Sequence, residues 1–192
     1  MLQADALNKA MATFKKNQPI GDAIGPMIVG KLMLEHEKHD IAVDTVYAES
    51  DISGRKAILV TAKGPAGTVG QPGNAVQELI NKENPSLLIM IDAALKLEGE
   101  KTGEVAEGIG AAIGGIGVDK FKIEEAATNS NLPVYAIVVK QSLVEAISLM
   151  TKEIAESVDT VHDIINRIIA ERTNPDDKII IVGVGNTIGV IQ

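Results

Sequence analysis

The sequence has no cysteine and no tryptophan, and only three histidines. Without thiols there is no disulfide, no thiolate metal site and no cysteine nucleophile, and the redox compartment leaves no trace. Aromatic residues make up 2% of the chain, too few for the stacking platforms that bind single-stranded nucleic acid. A cationic face is missing too. The formal net charge is −8 at pH 7, the opposite of the footprint a phosphate backbone selects. No uncharged segment, 108–118 and 179–192 included, reaches the ~20 residues of a membrane-spanning helix. The opening MLQADALNKAMATFKK lacks the apolar core of a signal peptide. These absences lead to the expectation of a cytoplasmic soluble protein with no nucleic-acid partner and no membrane partner in this segment.

Several catalytic motifs are also missing. There is no G-x-S-x-G nucleophile elbow and no H-E-x-x-H zinc motif. The glycine cluster GIGAAIGGIG runs into Val118-Asp119 and carries no Walker lysine. Gly183-Val184-Gly185 follows an apolar run, but too few residues come after it to build the helix that would hold a dinucleotide pyrophosphate. His36 and His39 stand in H-x-x-H spacing. Their neighbours Glu35, Glu37, Lys38 and Asp40 read as a solvated helix terminus rather than a metal site.

What is present is a chain of 192 residues, 45% hydrophobic, enough for one domain with a real core. Apolar residues at helical spacing predict a helix over 2–16, which Pro19 closes. A second helix is expected over 22–37, with Asp22 as N-cap and Pro26 in its first turn. Strands are read over 41–47 and 56–62, separated by a turn at 51–54. A glycine- and proline-rich loop covers 63–73 and a helix 74–82. A charged loop at 96–102 and a glycine-rich stretch at 104–117 precede a helix over 119–129. The glycine cluster at 108–117 is either an anion cradle or a tight loop. A strand over 133–139 follows, then helix over 143–172, broken at Thr151 or 157–159 if it is two. A last strand covers 178–183. Strands alternating with helices predict a three-layer α/β/α domain with a mostly parallel sheet.

The segment SLLIMIDAAL, 86–95, stands out. Five apolar residues run straight into Asp92, the pattern of a strand buried on both faces. A carboxylate where such a strand ends lies at the crevice in which open α/β sheets bind ligands.

Three segments resemble the germination protease and hydrogenase-maturation peptidase superfamily. Gly21-Asp22-Ala23-Ile24-Gly25-Pro26 is similar to its D-A-[LI]-G-P signature. Leu88-Ile89-Met90-Ile91-Asp92-Ala93 is similar to its strand ending in I-D-A, and Val182-Gly183-Val184-Gly185-Asn186 to its first strand. KGPAGTVGQPG resembles the P-G-x-x-G loop, and NLPVYAIVVKQSLVEAIS the strand and helix after the glycine-rich loop. Asp22 and Asp92 are 92 − 22 = 70 positions apart, close to the family spacing. The overall arrangement is also similar to an uncharacterised archaeal domain family.

The resemblance implies a phosphorylase/hydrolase-like fold whose first strand has moved to the C-terminus, a circular permutation in which Gly185 and Asn186 pack beside 20–22 and the first helix is an addition. It implies a peptidase-like hydrolase in which Asp22 and Asp92 form a catalytic pair acting on a peptide or protein substrate. One acid would keep a proton and the other activate water, in either assignment. Lys63, Gly64, Gly185 and Asn186 are then candidates for binding substrate or steadying charge. Lys63 can equally neutralise one acid. No resident cofactor is expected. A divalent metal between the two acids is a further option, although 93–118 lacks the histidine with which the hydrogenase-maturation branch holds nickel. The alternative is a non-catalytic module on the same fold that binds a small molecule, a metal or a partner.

Overall fold

The computed structural model describes residues 11–111 and 117–192. Of the helix expected over 2–16, residues 11–15 are helical and 1–10 lie outside the described residues; so do 112–116 of the glycine cluster. Seven strands form one sheet: β1 (His39–Ala42), β2 (Thr45–Ile52), β3 (Arg55–Ala62), β4 (Leu87–Leu95), β5 (Val105–Ile109), β6 (Val134–Gln141) and β7 (Lys178–Gly183). Their order across the sheet is β1-β2-β3-β7-β4-β6-β5. The helices are α1 (Ile24–Met33), α2 (Pro72–Glu83), α3 (Val118–Asn129), α4 (Leu143–Ile147) and α5 (Lys152–Arg172).

The class is α/β with a mixed sheet. Neighbours β3, β7, β4 and β6 run parallel, while β1-β2, β2-β3 and β5-β6 are antiparallel. The expectation of a mostly parallel sheet therefore holds only for the central strands. Two hairpins on one side and one edge strand on the other make up the difference. The segment read as a strand over 41–47 is a hairpin: Ala42 pairs with Thr45, and Asp44 takes a left-handed conformation (φ 47°) in the tight turn. At the next turn Ile52 pairs with Arg55 across Ser53 and Gly54, both at positive φ, as a two-residue hairpin turn requires.

The central strands are buried on both faces, which is why they read as continuous apolar runs. Leu87, Ile89 and Ile91 of β4 join the cluster containing Ile24, Ile28 and Met33 of α1 and Val158, Val161 and Ile165 of α5. Leu88 and Met90 alternate into a second cluster with Val76 and Leu79 of α2 and Ile123 and Ala127 of α3.

Local signals set the helix boundaries. The segment 143–172 divides at 148–151. Ser142 and Glu145 form a reciprocal capping box that starts α4. Thr151 accepts from the Ile154 amide (3.4 Å) to start α5. The helix expected over 22–37 is shorter, and Asp22 is not its cap. Gly21–Ala23 form a 3-10 turn, α1 begins at Ile24, and no side chain caps it. The Asp22 carboxylate is directed elsewhere. No helix among the described residues is long and apolar enough to cross a membrane.

Candidate active site

The site begins where β7 stops. Its pairing with β4 ends at Ile91 and Gly183, after which the Val184 amide donates to the Ile91 carbonyl (2.9 Å) and the chain turns away. β4 continues to Leu95, paired only with β6. Asp92 is the first β4 residue beyond the shared ladder, in the notch between strands.

The start of α1 is pressed against the same notch. A Cβ on Gly25 would lie 2.5 Å from the carbonyl oxygens of both Ile91 and Val184. A Cβ on Gly183 would lie 2.5 Å from the Gly25 oxygen, and one on Gly185 (φ +137°) 2.1 Å from the Asp22 oxygen. Glycines at these positions let the 3-10 turn, the helix start and the end of β7 touch through backbone. Asp22 is thereby fixed over the end of β7, where its Oδ2 accepts the Asn186 amide at 2.9 Å.

Asp22 and Asp92 line one cavity of about 270 Å3, together with Val69, Ala93, Val184, Gly185 and the residues 117–120 that open α3. Asp92 is 3% exposed. Its Oδ1 accepts the Ala93 amide at 2.7 Å, and its Oδ2 is in ion-pair contact with the Lys120 ammonium. Burial pushes the Asp92 carboxyl from 3.8 up to about 6, against the pull of the Lys120 charge and the Ala93 amide; the charge of Asp22 adds to the rise. Burial also raises Asp22, against the Asn186 amide and the Lys120 charge. The two acids and the lysine thus form one electrostatic unit.

The other expected residues divide. Gly185 lines the cavity. Asn186 serves through its amide, since its side-chain Oδ1 accepts the Ile188 amide (2.9 Å). Lys63 points to Asp40, with Nζ 2.8 Å from Oδ1 and a half-exposed side chain. Gly64 donates its amide to Gln192 Oε1 at 2.9 Å. Neither lines the cavity, which the 63–73 loop reaches through Val69 instead. The cation beside the acids is Lys120, which the motif reading missed. One signal was available: a lysine in the first turn of a helix opposes the helix dipole and so calls for an anionic partner.

The H-x-x-H pair does not converge. His36 Nε2 meets Ser50 Oγ at 3.1 Å, and His39 packs on Tyr47 with ring centroids 5.2 Å apart. Among the described residues no three His, Asp or Glu side chains are grouped to hold a metal ion. A larger cavity of about 380 Å3 lies at the opposite end of the parallel strands, beside Lys56, Glu83 and Lys178. There Lys178 is paired with Glu83 at 2.8 Å in a partly exposed setting. The acids raised by burial are at the smaller cavity.

Fold and site together define an α/β domain with a buried acid, a half-buried acid and a lysine where its central parallel strands end. The chain belongs to the family described as Domain of unknown function (DUF1512) C-terminal, whose model matches residues 20–191. It is also similar to the germination protease of Clostridium perfringens strain ATCC 13124, with 30% identity over 118 residues. The germination proteases of strains SM101 and 13 are 29% identical over the same length. Each match takes in 60% of this chain and 35% of the protease, so the chain spans about a third of the length of these curated relatives.

Proposed function

We propose that the cleft hydrolyses peptide bonds, with Asp22 and Asp92 as its catalytic acids. The observation that carries this reading is that two carboxylates, both raised by burial, line one cavity. The charge of Asp22 adds to the rise at Asp92, and acids coupled in this way do not ionise independently, so the pair holds one proton over part of the pH range. The ionised member takes a proton from water as the water oxygen bonds to the peptide carbonyl carbon, and the carbonyl π electrons move onto oxygen. The protonated member gives its proton to the amide nitrogen. The carbonyl re-forms, the C–N bond breaks, and an amine and an acid leave. The cavity has room for a peptide unit and a water, and Gly185 gives it a backbone wall that an extended chain can approach.

Similarity to germination protease supports the same reading. So does the contact of 20–26 with 182–186 across the length of the chain, which fits a permuted order of the superfamily's strands.

The second reading, a non-catalytic module for a small molecule, metal or partner, is favoured by the Lys120–Asp92 ion pair, which neutralises one acid. The two are separated by incubating an unstructured protein with wild type, Asp22→Asn and Asp92→Asn from acid to neutral pH, with EDTA and with added divalent metals. The dyad reading expects cleavage by wild type in EDTA and at least a hundredfold loss in each variant. Equal cleavage by all three, or none by wild type with any metal, favours the binding module. Cleavage only with metal assigns the acids to a cation.

A further inference from the structure

Lys120 enters the cavity from the first turn of α3, and its side chain is 14% exposed where it meets an Asp92 side chain that is 5% exposed. The charged groups around Asp92 come from two packed elements. Asp22 belongs to the 3-10 turn before α1, and Asp119 and Lys120 belong to α3. Asp119 is turned aside, its Oδ1 accepting the Gly73 amide at 3.1 Å. Asp22 is held as an acceptor by the Asn186 amide. Asp92 Oδ2 is in contact with the Lys120 ammonium inside the cavity. An ammonium and a proton on that oxygen exclude each other, because a protonated carboxyl no longer attracts the lysine.

We infer that Lys120 is a positioning residue that gates the acid pair: its ammonium competes with the catalytic proton for Asp92 Oδ2. In the ion-paired state Asp92 is charged and cannot serve as the general acid. When Asp92 takes the proton, the lysine contact is released. Asp92 is then the acid that protonates the leaving nitrogen, and Asp22, its carboxylate held by the Asn186 amide, is the base that activates water. The proton Asp22 takes from water resets the pair when it returns to Asp92. This assignment rests on the hydrolase reading, but the competition itself does not.

The test is a carboxyl-carbon NMR titration of the full chain, read alongside the Lys120 ammonium signal. In wild type the ammonium signal changes with the same midpoint as Asp92, near pH 6. Lys120→Met and Lys120→Gln raise the Asp92 midpoint by roughly 1–3 pH units, and Lys120→Arg leaves it in place. Where wild type cleaves peptide only as pH falls, the neutral variants cleave at neutral pH as well. An ammonium signal that ignores the Asp92 titration overturns the inference, and so does an Asp92 midpoint unmoved in both neutral variants. The wild-type titration decides this even if a variant fails to fold. Absence of cleavage at every pH with a shifted midpoint refutes the hydrolase reading and leaves the competition standing.

Discussion

A carboxyl held near 6 by burial makes the fold itself sensitive to pH, and Asp92→Asn isolates that effect. In the unfolded chain Asp92 titrates near 3.8; folded, it titrates near 6. Between those values the folded state binds the proton more tightly than the unfolded state, so stability falls as pH rises. This contribution is full below about pH 3.8 and is gone above the folded value. The separation of about 2.2 pH units corresponds to about 3 kcal/mol over the full window, of which about 2.5 kcal/mol falls between roughly pH 4 and pH 7. Asparagine at position 92 does not titrate. Any constant cost of leaving Lys120 without its partner cancels when each protein is compared with itself at two pH values. Urea unfolding of both proteins at the two pH values gives the double difference. Wild type should lose about 2.5 kcal/mol relative to Asp92→Asn on going from acid to neutral pH. A difference that stays flat, or one that grows in the opposite direction, would refute the claim that burial outweighs the lysine.

Two substitutions test the architecture around the notch. Gly25→Ala drives a methyl into the carbonyls of Ile91 and Val184 and should cost about 1–3 kcal/mol. An unchanged urea midpoint would mean that α1 can back away from the sheet. Ser142→Ala removes the capping box of α4 and should cost about 1 kcal/mol, read by the same unfolding curve.

The central sheet was legible because burial on both faces writes itself as uninterrupted apolar sequence. β4 and β7 lie within a residue of where such runs placed them. The edges were not. The β1–β2 turn carries Val43, whose exposed apolar side chain hides the reversal. β5 contains Glu107 and Gly108, with no residue fully buried, so it reads as more of the glycine-rich loop and declares itself only by pairing with β6. The site divides along the same line. Asp22, Asp92 and the glycines around them were traceable because a backbone-to-backbone approach demands fixed small residues in short motifs. Lys63 drew notice for lying in a glycine-rich loop, yet its charge is spent on Asp40. The place of Lys120 in the first turn of a helix calls for an anion, but which anion is set by how α3 packs across the sheet, and Gly-Val-Asp-Lys-Phe does not specify that.

The place of β7 also bears on the order in which the molecule assembles. It is the seam of the sheet. β3 bonds to it on one side and β4 on the other, yet it is the last strand in sequence. Before 178–183 leave the ribosome, β1–β3 and β4–β6 are two unjoined half-sheets, each with an open edge that is central in the finished fold. A half-sheet with such an edge is exposed to wrong pairing. The closing contacts are among the longest in sequence, a topology that slows folding. The same late segment brings the Asn186 amide to Asp22, so that carboxylate gains its backbone donor in the step that closes the sheet.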